Sequence, residues 1–144
     1  MPNKTQSKPK TTWLIPGIIL LVVALVAAIF IFGQAPQSTA LPTTVNVTDA
    51  IERFEKGAFL LDVRQPEEWV EGHVKGAVLI PLGELETRIK EIPVDQDVLI
   101  ICRSGNRSGQ ARDLLRAAGL ERTTSISGGI NAWIAAGLPI VTGN

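Results

Sequence analysis

The stretch that decides the fold is Val98-Leu99-Ile100-Ile101-Cys102-Arg103-Ser104-Gly105-Asn106-Arg107-Ser108. Four consecutive branched apolar residues with no polar alternate predict a strand buried on both faces, as in a parallel sheet. The polar loop that follows gives way to Ala111, Leu114, Leu115 and Ala118, one face of a helix that starts near Ser108 and is capped by Gly119. Strand, tight loop and helix make half of a parallel α/β unit. In such sheets ligands bind beyond the carboxyl ends of the strands, which is where Cys102 falls.

The residue types in the loop suit an anion. A loop that wraps toward a helix amino terminus turns its backbone N–H groups inward, and the helix dipole adds to their pull. Ser108 is a candidate cap for that helix. A cysteine in this position ionises below the ~8.5 of an isolated thiol. Arg103 and Arg107 add fixed positive charge for the thiolate and for an anionic substrate. The candidate nucleophile is Cys102, and the candidate substrate contacts are Arg103, Ser104, Gly105, Asn106, Arg107 and Ser108. A cysteine that ends a core strand is, taken alone, usually a packing residue. Two arginines, a glycine and a helix start within six residues reverse that reading.

Outward from the loop, short apolar strands alternate with helices. Val45-Asn46-Val47 reads as a strand, followed by a helix with Thr48 as N-cap, Val47, Ile51 and Phe54 on its apolar face, and Gly57 at its end. Phe59-Leu60-Leu61 and Val78-Leu79-Ile80 read as buried strands, and Leu82 to Ile92 as a helix ended by Pro93. Thr123 to Ile126 is a further strand and Ile130 to Ala136 a final helix. The pattern predicts one α/β domain around a mainly parallel sheet over residues 45–144.

The first third of the 144 residues differs in kind. Leu14 to Phe32 carries no charge, hydroxyl or amide, and at about 1.5 Å per residue it nearly matches a hydrocarbon core of about 30 Å. With Trp13 at the interface, residues 13–33 read as a transmembrane helix, 1–12 as a short basic cytoplasmic N-terminus and 34–44 as a polar linker. A cleaved signal is the alternative, since Gly33-Gln34-Ala35 and Ser38-Thr39-Ala40 have small-x-small character. Signal cores run about 7–15 residues, so the length of this run favours a retained single-pass anchor. Lys4, Lys8 and Lys10 precede the run, and no Lys or Arg lies between Gly33 and Glu52. The positive-inside rule then keeps the N-terminus in the cytoplasm and the domain extracytoplasmic, or secreted after cleavage.

Other functions are disfavoured by composition. Setting those three lysines aside leaves 11 Lys/Arg against 14 Asp/Glu, with no basic stripe, so no nucleic-acid partner is expected. One cysteine excludes an internal disulfide, and with one histidine it makes no metal site. His73 as a base for Cys102 is disfavoured because a cradled thiolate needs none. Asp62 is read as organising loop backbone, Arg64 as paired with an acid, and Trp69 and Trp133 as core packing.

Cys102 to Ser108, CRSGNRS, resembles the active-site loop of the rhodanese family. Leu60-Leu61-Asp62-Val63-Arg64, with Glu68-Trp69, Gly72-His73-Val74, Gly76-Ala77 and Ile80-Pro81, is similar to the family's early signature. Gly128-Gly129-Ile130-Asn131-Ala132-Trp133 is similar to its late one. The resemblance implies a five-stranded parallel sheet flanked by helices, no cofactor, and a catalytic cysteine cycling through a persulfide. Cys102 would take a sulfane sulfur from a small anionic donor such as thiosulfate. It would pass that sulfur to cyanide or to a thiol, small or on a protein. The N–H groups of Arg103 to Ser108 would hold the persulfide. Related folds occur in dual-specificity phosphatases, but their arginine lies six positions after the cysteine, and that position is Ser108 here. Thiosulfate-type loops tend toward Cys-Arg-Lys-Gly, and Ser104 replaces the Lys. Mercaptopyruvate-type loops tend to place Gly directly after the Cys, where this chain has Arg103. A non-enzymatic persulfide-carrying, redox-sensing or partner-binding module is the alternative. Protease added to intact cells is expected to clip the exported domain; full protection would reverse the orientation.

Overall fold

A computed structural model describes residues 40–143. Among them no helix is long and apolar enough to cross a membrane, and the apolar run Leu14–Phe32 lies outside the described residues. The strands are β1 (Thr44–Val45), β2 (Phe59–Asp62), β3 (Val78–Leu79), β4 (Val98–Ile101) and β5 (Thr123–Ile126). The helices are α1 (Val47–Glu55), α2 (Pro66–Glu71), α3 (Leu85–Arg88), α4 (Asn106–Ala117) and α5 (Gly129–Ala135). All strand pairings are parallel, as the alternating pattern predicts, and the order is β1-β5-β4-β2-β3.

The buried run Val98–Ile101 sits at the centre of the sheet, between β2 and β5. Its side chains alternate between two cores. Val98 and Ile100 join Leu61, Val63, Ile80, Leu85, Ala111 and Leu115 on the α3/α4 face. Leu99 and Ile101 join Leu60, Ala50, Ile126, Ile130 and Trp133 on the α1/α5 face. Burying each such side chain contributes roughly 1.5–3 kcal/mol. The period of two then decides where the chemistry falls: Cys102 shares the face of Ile100, underneath α4.

Several local expectations are corrected. The first strand is shorter than Val45–Val47, because Asn46 leaves it to cap α1, accepting from the Asp49 N–H at 2.8 Å; Thr48 lies inside the helix. Leu82–Ile92 is not one helix but a 3-10 turn (Leu82–Glu84), α3, and a second 3-10 turn (Ile89–Glu91). The Thr87 hydroxyl donates to the Glu84 carbonyl at 2.8 Å, offering that acceptor a side chain in competition with the helical ladder. Leu82, Leu85, Ile89 and Ile92 still share one apolar face, so the pattern was right where the hydrogen bonding was not. α4 starts at Asn106 rather than near Ser108, and Ala118 is exposed. Helix α2 was not anticipated; Pro66 opens it, and Glu68 accepts from the Gln65 N–H at 3.0 Å.

One buried hydroxyl lacks a partner. Thr124 on β5 is fully buried on the Ile126 face, and its Oγ1 makes no hydrogen bond among the described residues. Thr124→Val removes an unsatisfied group at nearly constant shape. It is expected to raise stability by about 1 kcal/mol, read as a higher urea midpoint at unchanged slope.

Candidate active site

Cys102 follows directly on β4, and its side chain is almost wholly buried, at 1 % exposure. The loop after it turns back over the sulfur. Gly105 takes φ +106°, a left-handed conformation that a β-carbon would strain, and this starts α4. The turn brings the Gly105 N–H to 3.1 Å from Sγ. Ser108, one turn into α4 and fully buried, puts its Oγ 3.5 Å from Sγ. The thiol donates to that hydroxyl, and the thiolate accepts from it. Ser108 Oγ also lies 2.7 Å from Ser125 Oγ on β5 and 3.1 Å from the Gly105 carbonyl oxygen. Its single proton is donated to that carbonyl while the thiol is protonated, and turns from it to serve the thiolate. Ser108 is thus not the helix cap but part of the cradle.

Burial pushes the Cys102 thiol up. The Ser108 hydroxyl and the N–H groups of Ser108, Gly105 and Ser104 overcome it and hold the thiol below its ordinary value. The loop predicts a readily ionised cysteine, and the groups chiefly responsible are hydrogen-bond donors, with the Arg107 charge also coupled to the sulfur.

Those arginines have separate fates. Arg103 is exposed and borders a cleft of about 350 Å³ together with Arg64, Glu68, Glu71, Ile130 and Asn131. Arg107 is bound by Glu68 through two parallel bonds, Nη1 to Oε2 at 2.6 Å and Nη2 to Oε1 at 2.7 Å. The pair holds the Glu68 carboxyl down at about 2, with the Arg107 hydrogen bonds as the largest cause. Ser104 is exposed, and Asn106 turns its Oδ1 to Gln110 Nε2 at 2.9 Å rather than toward the sulfur.

The loop also needs a floor. The Ile130 N–H donates to the Cys102 carbonyl at 2.8 Å and the Asn131 N–H to that of Arg103 at 3.3 Å. Gly129, at φ +56°, lies so close that a β-carbon there would overlap the Cys102 carbonyl oxygen and the Arg103 backbone. Beside the loop, Asp62 accepts from Arg64 Nε at 3.0 Å and Nη2 at 2.7 Å, and from the Arg64 N–H at 3.0 Å. Arg64 also donates to the carbonyls of Glu68 and Gly72. Both residues are structural, as read from the sequence. His73 turns its Nδ1 to the Trp69 carbonyl at 3.0 Å and stacks on Trp69 at 3.6 Å, so its ring serves the fold. Trp133 is core, but Trp69 is only half-buried, which corrects its reading as core packing.

Sequence reasoning missed Glu68 as the partner of Arg107, Ser125 as the partner of Ser108, and Gly129 as the floor. Glu68 and Gly129 stand in quoted motifs, but a contact spanning 39 positions has no local signal.

The family model for the rhodanese-like domain matches residues 46–136. The chain belongs to the rhodanese-like domain family. A relative named as a sulfurtransferase, from Allochromatium vinosum, is 45 % identical to this rhodanese domain over 82 residues, covering 57 % of this chain and 77 % of the relative. The Bacillus subtilis protein YqhL is 34 % identical over 119 residues, covering 81 % and 90 %. The crystal structure of a rhodanese-related protein from Thermoplasma volcanium is 35 % identical, with a TM-score of 0.65, over 69 % of this chain and 98 % of that one.

Because the hydroxyl of Ser108 is among the groups that lower the thiol, the pH profile of Cys102 alkylation reports on it. Wild type is expected to stay reactive toward iodoacetamide below the ~8.5 of a free thiol. Ser108→Ala is expected to move the midpoint upward, toward that value.

Proposed function

We propose that this rhodanese domain is a sulfurtransferase that moves a sulfane sulfur through a Cys102 persulfide. One observation carries the reading: a thiol at the end of a central strand, with the Gly105 N–H on its sulfur and the Ser108 hydroxyl beside it. The Cys102 thiolate attacks the outer sulfur of a small anionic donor. A new S–S bond forms and the donor's own S–S bond breaks. Its electron pair leaves on sulfite when the donor is thiosulfate. The charge then rests on the outer persulfide sulfur, and the N–H groups of the loop are the available donors for it. A thiophilic acceptor, cyanide or a thiol, removes that sulfur and regenerates the thiolate. The name of the Allochromatium vinosum relative agrees with this activity.

Two readings stand beside it. A phosphatase of related fold would carry an arginine six positions after the cysteine, where this chain has Ser108, so phosphoryl transfer is disfavoured. A persulfide carrier is favoured by a different fact: Cys102 is the only cysteine in the sequence, so its persulfide must be resolved by another molecule. The two differ only in whether the acceptor is a small molecule or a partner protein's thiol. We further propose that residues 13–33 hold the domain at the outer face of a membrane, where those acceptors would be extracytoplasmic.

Intact mass tests the central step. The purified full chain is incubated with thiosulfate or an alkanethiosulfonate, then with cyanide. Wild type is expected to gain one sulfur and to lose it to cyanide, and Cys102→Ser to gain none. No gain from any sulfane donor would leave the non-enzymatic binding module.

A further inference from the structure

Three arginines border the site, and their charges are not equally available. Arg64 is neutralised by Asp62 and Arg107 by Glu68. Arg103 pairs with none of the described carboxylates. The Glu68–Arg107 pair is not a loose surface contact: the two side chains are 27 % and 28 % exposed, and the fork is bidentate. Glu68 is itself held in register by the Gln65 N–H, and its carbonyl by Arg64. Arg107 lies in the first turn of α4, whose amino end faces the sulfur, so its cation would otherwise meet a donor's oxygens there.

This matters because a donor approaches a site that is already anionic. The N–H groups of Ser104, Gly105 and Ser108 serve the Cys102 sulfur. From Thr43 onward the domain carries 11 basic against 14 acidic residues, so its field opposes anions further. Thiosulfate adds two negative charges, and a single uncompensated arginine offsets one. A donor with one negative charge leaves no such deficit.

Resting on the sulfur-transfer reading above, we infer that Glu68 sets the charge class of the sulfur donor. By holding Arg107 it makes the domain select singly charged donors and discriminate against dianions such as thiosulfate. Glu68 is then a positioning residue that acts through Arg107. The chemistry is the same for either class. The Cys102 thiolate bonds to the sulfane sulfur, and the bond from that sulfur to the sulfonyl sulfur breaks. The pair leaves on sulfite from thiosulfate or on methanesulfinate from methanethiosulfonate. The persulfide keeps one negative charge, and no proton or outside electron is needed.

The comparison of those two donors isolates charge, since both offer the same sulfane sulfur. The test measures kcat/KM for each, with cyanide as acceptor, in the full-length wild type, Glu68→Gln and the double variant Glu68→Gln/Arg107→Gln. Glutamine still accepts from the Gln65 N–H, so α2 keeps its cap. Glu68→Gln is expected to raise the thiosulfate-to-thiosulfonate ratio about tenfold, and the double variant to lose that gain. Sulfate, as an inhibitor of thiosulfonate turnover, is expected to bind Glu68→Gln more tightly by a similar factor. Should that variant fail to fold, Glu68→Asp, too short to span both Nη atoms, carries the same expectation in smaller measure. An unchanged ratio, or a gain that survives loss of Arg107, would overturn the role of Glu68. Wild type taking sulfur from neither donor would instead overturn sulfur transfer itself.

Discussion

The constraint on which this domain turns is that an anionic sulfur must exist at the edge of an apolar core. Cys102 is as buried as the residues of the strand it follows, and burying an uncompensated charge costs several kcal/mol. With so little of the residue open to solvent, most of the compensation has to come from the chain. The left-handed turn at Gly105, the early start of α4 and the seating of the loop on Gly129 all serve to aim donors at one atom. None of these features lowers the energy of the fold by itself. Together they make the ionised form of one thiol an acceptable part of the interior.

A second layer holds that arrangement in register. Asp62 ends β2 beside the end of β4, and through Arg64 it reaches the backbone of α2 and Gly72. Glu68 on α2 then reaches across to Arg107 on α4. The mouth of the site is thus tied to the sheet by two charge pairs with no gap between them. Breaking a buried pair by removing one partner typically costs about 3–5 kcal/mol, which makes Asp62–Arg64, at 0 % and 5 % side-chain exposure, the stiffer of the two.

What was legible in the sequence follows the range of each interaction. The run Val98–Ile101 announces a buried strand because full burial leaves no polar alternate, and Cys102 at its end follows. The loop's donors were legible too, since helix starts present N–H groups whatever the tertiary context. The electrostatics of the arginines were not. Whether Arg107 meets a substrate or a carboxylate depends on Glu68, which only the fold brings near. Local hydrogen bonding set the other limits: Asn46 and Thr48 are both good caps, and Thr87 competes for a carbonyl within the segment whose apolar spacing, Leu82, Leu85, Ile89 and Ile92, reads as one helix.

The sheet order has a consequence for the order of assembly. The domain's first strand pairs only with its last, Thr44 with Ser125 and Val45 with Ile126. Long-range pairings of this kind close late, because the loop entropy must be met before the contacts form. As the chain emerges from the ribosome, β1 has no partner until nearly all of the domain has been made. Ser125 and Gly129, which complete the surroundings of Cys102, arrive in the same final stretch. Until then the loop that carries Cys102 has no floor beneath it and the Ser108 hydroxyl lacks its Ser125 partner, so the surroundings of the thiol are completed only when the chain end is in place.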